Sequence, residues 1–78
     1  MKNKADENVQ EFLKLIGGNL KRERIAQGFT QENLAEMNDI DYKYYQRIES
    51  GNVNITMKTL YKLSESLQID PIKLLVKE

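Results

Sequence analysis

Side chains able to do chemistry crowd into one short stretch, "DIDYKYYQRIESG", residues 39–51. Tyr42, Tyr44 and Tyr45 stand there among Lys43, Gln46 and Arg47. What this set offers is recognition: directional hydrogen-bond donors, fixed positive charge and flat rings. Bond-making chemistry is poorly served, because the 78 residues include no histidine and no cysteine. The commonest general base, the commonest metal ligand and the thiolate nucleophile are therefore missing. Carboxylates remain, yet a domain of this size buries only about 60–65% of its unfolded surface and has little room for an enclosed pocket. The expectation is a non-enzyme with no metal and no cofactor.

A helix over 42–50 divides the cluster, since positions three and four apart share a face. Tyr44, Tyr45 and Ile48 fall on one side, with Ile40 leading in, and read as core; Tyr44 sits at its margin, its hydroxyl reaching water or a phosphate. Tyr42, Lys43, Gln46 and Arg47 fall on the other side. That outer face is what a helix in a DNA major groove presents. Lys43 or Arg47 could bond guanine O6 and N7, Gln46 could pair with adenine, and Tyr42 could pack on a thymine methyl or bond a phosphate. Asp41 reads as the helix N-cap, with acceptance from cytosine N4 a lesser role.

The rest of the chain must position this helix. Apolar residues make up 40% and charged residues 31%, and twelve basic and twelve acidic side chains cancel to zero net charge. Neutrality argues against indiscriminate nucleic-acid binding. Between 41 and 62, however, Lys43, Arg47, Lys58 and Lys62 outnumber Asp41 and Glu49. Residues 1–8 are polar and read as a flexible N-terminus, with the folded domain over 9–78. Val9, Phe12, Leu13, Ile16 and Leu20 keep helical spacing to about Gln27, with Gly28 as the stop. Gly17 and Gly18 mark either a kink or the true start of the first core helix. Thr30 caps a second helix and Asp41 a third, which Gly51 and Asn52 end. Thr56 caps a fourth helix, 57–67, with the apolar line Met57, Leu60, Leu63 and Leu67. Asp70-Pro71 opens a short fifth. The expected core is Leu20, Phe29, Leu34, Ala35, Ile40, Tyr45, Ile48, Leu60, Leu63, Leu67 and Ile69. The class is all-α.

Two short helices joined by a tight break make a helix-turn-helix. "TQENLAEMNDIDYKYYQRIESG" resembles the phage-repressor/Cro-type (XRE-like) family: Gln31 opening the second helix, Leu34-Ala35 in its middle, and Ile48-Glu49-Ser50-Gly51 closing the recognition helix. "LKRERIAQGFTQ" is similar to the family's first helix and junction, and "NITMKTLYKLSESLQIDPIKLL" to its later helices. The resemblance covers about residues 16–76 and implies a lambda-repressor-like five-helix domain. Two positions depart from the pattern: Asp39 replaces the usual turn glycine, and Ser64 a usual alanine. The resemblance further implies that Gln31 touches a phosphate or braces a recognition-helix residue. It implies that Asn52, Asn54, Thr56 and Lys58 lie where similar proteins grip the DNA backbone. It also implies that Arg24 and Glu49 form a partly buried structural salt bridge.

"DPIKLLVKE" carries more apolar residues than one packed face needs, so Ile72, Leu74, Leu75 and Val76 read as a homodimer seam, with 9–16 as its rival. The functional expectation is a homodimeric, sequence-specific transcriptional regulator on a two-fold-related double-stranded DNA operator, blocking RNA polymerase or touching it from upstream. Restriction-modification controllers fit best among similar small proteins, with phage repressors and antitoxins beside them. The competing class is a protein-binding helical module that does not read DNA. No apolar run approaches the ~20 residues of a membrane span, and "MKNKADENVQ" lacks a secretory h-region, so the expected compartment is the cytoplasm.

Overall fold

The structure, a computed structural model, describes residues 3–77. Four α-helices and one 3-10 turn make up the described regular structure: α1 (Lys4–Ala26), α2 (Gln31–Met37), α3 (Tyr42–Ser50), α4 (Met57–Ser66) and the turn Pro71–Leu74. The all-α expectation holds, with the fifth helix reduced to a single 3-10 turn opened by Asp70 and Pro71.

The start of α1 corrects the sequence reading. The helix begins at Lys4 rather than Val9, so residues 4–8, expected as a flexible tail, are its first turns; residues 1 and 2 lie outside the described ones. The cause is local. Asn3 accepts from the backbone N–H of Asp6, and the Asp6 carboxylate accepts from that of Asn3. This capping box satisfies donors a helix start otherwise leaves open. The first buried residue of α1 is Ile16, so its N-terminal turns stand clear of the core.

All four helices stop in the same way. Residue pairs Phe29–Arg24, Ile40–Ala35, Asn52–Arg47 and Ile69–Ser64 each join a backbone N–H to the carbonyl five residues earlier, at 2.9–3.1 Å. The residue preceding each donor is left-handed: Gly28, Asp39, Gly51 and Gln68. This arrangement closes the orphan carbonyls of a helix end. At three of the stops the next residue is apolar, and Phe29, Ile40 and Ile69 each pack on the core's edge. Asp39 thus adopts the backbone its departure from glycine demands (φ 54°).

The core comprises Ile16, Leu20, Leu34, Ala35, Tyr45, Ile48, Leu60, Leu63, Leu67 and Leu74. Leu74 is a correction: with no exposed surface it packs inside its own domain and cannot form a seam. The 3-10 turn points it inward, while Ile72, two positions earlier, is 61% exposed. Met57 leaves the expected apolar line of α4 and stands exposed at its first turn. Ser64 is buried, its hydroxyl donating to the Tyr61 carbonyl.

Gly17 and Gly18 do not mark the start of the first core helix, since α1 runs through both. They differ in what surrounds them. A Cβ on Gly17 would overlap the Glu49 carbonyl oxygen and lie 2.6 Å from that of Ile48, whereas nothing lies within 4 Å of one on Gly18. Gly17 therefore lets α1 cross against the end of α3. Gly17→Ala is expected to lower stability by about 1–3 kcal/mol through overpacking. Gly18→Ala should raise it by about 0.5–1 kcal/mol, since alanine is the better helix residue. Urea unfolding of the two single variants measures both signs.

Candidate nucleic-acid interface

Nine residues are too few for a helix to stand alone in water, so α3 depends on its caps and its packed side. The Asp41 carboxylate accepts from the backbone N–H groups of Lys43 and Tyr44 at 3.0 and 3.2 Å. Gly51, left-handed at φ 77°, closes the other end, where a Cβ would lie 2.8 Å from Lys14 Cα. Tyr45, Ile48 and Glu49 are buried, Tyr44 is half-buried, and Tyr42, Lys43, Gln46 and Arg47 are exposed. The helix thus holds one face in the protein and turns the other outward.

Its buried face is fastened by a carboxylate. Both Glu49 oxygens are doubly engaged. Oε2 accepts from Arg24 Nε and from the Tyr45 hydroxyl, each at 2.6 Å. Oε1 accepts from Arg24 Nη2 at 3.2 Å and from Gln31 Nε2 at 3.0 Å. Arg24 spends Nη1 on the Phe29 carbonyl, 2.8 Å away. The two charged side chains are only 10% and 4% exposed. Residues from α1, α2 and α3 therefore converge on one ion. The Tyr45 hydroxyl had no part in the sequence reading beyond its place in the core. Its spacing of four from Glu49 was the available signal.

The titration of these groups follows. Burial pushes the Glu49 carboxyl upward, but hydrogen bonds from Arg24, Tyr45 and Gln31 outweigh it and hold the group below the ordinary carboxylate range. The bond to Glu49 raises Arg24 further, against its burial. Burial, then the bond to Glu49, pushes the Tyr45 phenol far above its usual value.

Around α3, the expected backbone-gripping residues Asn52, Asn54, Thr56 and Lys58 are exposed in the following loop and first turn. Asn52 donates to the Ser50 hydroxyl. Thr56 caps α4, accepting from the Thr59 N–H and donating to its hydroxyl. Gln31, half-buried, turns its amide nitrogen toward Glu49 and its oxygen toward Gln46. Ile72 and Val76 are exposed and Leu75 half-buried. Among the described residues no group of acidic, histidine or cysteine side chains is placed to hold a metal ion, and no helix is long and apolar enough to cross a membrane.

Because Glu49 is held below its unfolded value near 4.5, its contribution is complete above that pH and is lost as pH falls through the folded value. Stability should also decline above pH 10, where the unfolded Tyr45 phenol ionises and the folded one does not. Glu49→Gln should cost about 3–5 kcal/mol near neutrality, by leaving Arg24 buried without its counter-charge. It should also flatten the acid limb of a denaturant-midpoint profile against pH.

With this geometry in place, three comparisons agree. Residues 20–74 match the helix-turn-helix family model. The uncharacterized HTH-type transcriptional regulator y4dJ of Sinorhizobium fredii is 34% identical over 64 residues, 82% of this chain and 83% of that protein. The restriction-modification controller protein C.AhdI from Aeromonas hydrophila superposes with a TM-score of 0.77 at 34% identity, over 80% of this chain and 94% of that one. A second controller, C.Esp1396I, gives a TM-score of 0.73 at 28% identity, over 86% and 95%. The chain belongs to the helix-turn-helix family of transcriptional regulators.

Proposed function

We propose that this protein is a sequence-specific regulator that binds a two-fold-related double-stranded DNA operator as a homodimer, as a restriction-modification controller. The observation that carries the reading is the division of α3: Tyr45, Ile48 and Glu49 fix it, and Tyr42, Lys43, Gln46 and Arg47 face outward. A fixed backbone and outward-facing donors are what base readout needs. Glu49 is bound by Arg24, so its charge does not oppose an approaching phosphate, and the exposed Lys43, Arg47, Lys58 and Lys62 supply the local attraction. Gln31, Tyr44, Asn52, Asn54, Thr56 and Lys58 are assigned to the phosphates. The likeness to two controller proteins, matched over nearly their whole chains, favours that role above repressor or antitoxin.

The seam joins what the sequence offered as rivals. Asn19 of α1 donates to the carbonyls of both Leu74 and Val76 at 3.0 Å, clamping the C-terminal segment to α1. Phe12, two turns before Asn19 and on the same α1 face, is 45% exposed, and Val76 is 49% exposed. A shared apolar face built from Phe12, Ile72, Leu75 and Val76 would set two recognition helices about 34 Å apart.

Gel shifts on the protein's own upstream DNA should give a specific complex with a steep salt slope. Lys43→Ala and Arg47→Ala should each weaken it by about 1–3 kcal/mol at an unchanged thermal midpoint. A folded protein that gives no shift at micromolar concentration would favour the protein-binding module instead. Ile72→Glu and Val76→Glu should move the sedimentation mass to that of a monomer and weaken operator binding with it.

A further inference from the structure

The loop that follows the recognition helix carries no charge of its own. From Ser50 to Met57 every side chain is neutral, so Asn52, Asn54 and Thr56 bring a phosphate hydrogen-bond donors but no positive charge. Neutral donors hold an anion in register, whereas a cation also releases the counterions condensed on it. The structure brings a cation to this loop from a distant part of the chain. Gly51, the first residue past α3, lies against Lys14 of α1. A Cβ there would stand 2.7 Å from Lys14 Cγ and 2.9 Å from the Lys14 backbone nitrogen. The aliphatic stem of Lys14 therefore runs over the bare face of Gly51, while the residue as a whole stays exposed. Among the described residues Lys14 makes no hydrogen bond and no ion pair. The groove between the two segments is lined by Gln10 and Leu13 on one side and by Asn52 and Asn54 on the other. Asp6 also lines it, but lies two turns from Lys14 and accepts from the Asn3 backbone N–H.

We propose that Lys14 is a phosphate-binding residue, which with Asn52 and Asn54 forms a compound clamp on the DNA backbone beside the end of the recognition helix. The inference rests on the DNA-reading function proposed above. Lys14 precedes residues 20–74, the stretch that the family model matches, so the family pattern does not assign it. The two kinds of group divide the work. The amides place a phosphate by directional bonds, and the ammonium, a point charge on a flexible stem, adds attraction without demanding one geometry. Because phosphates carry no sequence information directly, Lys14 contributes to affinity and not to sequence choice.

The test is binding across about 50–200 mM salt, measured by fluorescence anisotropy on the protein's own upstream DNA and on versions with single base changes. Wild type, Lys14→Gln, Lys14→Arg and Lys73→Gln are compared, with thermal midpoints confirming that each is folded. Lys14→Gln keeps the stem on Gly51 and removes the charge. Lys73, exposed on the 3-10 turn, controls for the loss of one positive charge anywhere. Lys14→Gln should weaken every duplex by the same factor and reduce the salt slope by about one, so its deficit shrinks about threefold from the lowest to the highest salt. Lys14→Arg should keep the wild-type slope, and Lys73→Gln should stay near wild type. An unchanged slope in Lys14→Gln, a deficit equalled by Lys73→Gln, or a loss that varies with base sequence would sink the proposal and leave the DNA-reading function standing. A lowered thermal midpoint with the slope intact would assign Lys14 to packing on Gly51 alone. A folded wild type with no salt-dependent binding would overturn the DNA-reading function as well.

Discussion

One buried carboxylate organises this molecule. Glu49 accepts from Arg24 on α1, Gln31 on α2 and Tyr45 on its own helix, so three helices meet at a single charge. Its backbone carbonyl also faces Gly17 of α1, where a Cβ would overlap it. An ion taken out of water is tolerable only when its lone pairs are filled, and here both oxygens are. That requirement gives the site its rigidity: moving any one helix would strand a charge or a donor. In a thin core such directional constraint supplements apolar packing, which fills space but holds orientation loosely.

The same ion resolves the apparent conflict between a neutral chain and an anionic target. Glu49 and Arg24 neutralise each other inside the protein, which leaves the total at zero but removes the Glu49 charge from the α3 face. What DNA would meet is the exposed remainder of α3 and α4, where lysines and an arginine dominate. Asp41 is exposed at the leading end of α3, and one of its carboxylate oxygens accepts from two backbone donors. Charge placement, rather than charge total, decides whether such a surface attracts a phosphate backbone.

Helix ends form a second theme. Four stops share one backbone solution, and three of them deliver an apolar residue back onto the edge of the core. Two use glycine and two use Asp39 and Gln68, residues for which the left-handed conformation is less comfortable. The fold thus accepts local strain where the following apolar residue, Ile40 or Ile69, gains burial in return. The glycine stops were legible as such, and Asp39 as the substitute for a turn glycine; a left-handed glutamine leaves no mark in composition.

Periodicity and punctuation carried most of the architecture. The caps Thr30, Asp41, Thr56 and Asp70, the glycine stops and the apolar spacing place the helices to within a residue or two, the start of α1 excepted, because these are short-range effects of side chains on their own backbone. The same spacing separated the outward set of Tyr42, Lys43, Gln46 and Arg47 from the packed set of Tyr45 and Ile48. What the linear chain could not decide were contacts between residues far apart in it. Whether Leu74 faces solvent, why Gly17 differs from Gly18, and that Asn19 ties down Val76 all depend on which surfaces meet. The shared carboxylate is partly of the same kind: the resemblance implied its bridge to Arg24, whereas the donors from Gln31 and Tyr45 that complete it came from the assembled structure. Local preference is written residue by residue, whereas the satisfaction of a buried charge is a property of the assembled core, and only the tertiary structure supplies it.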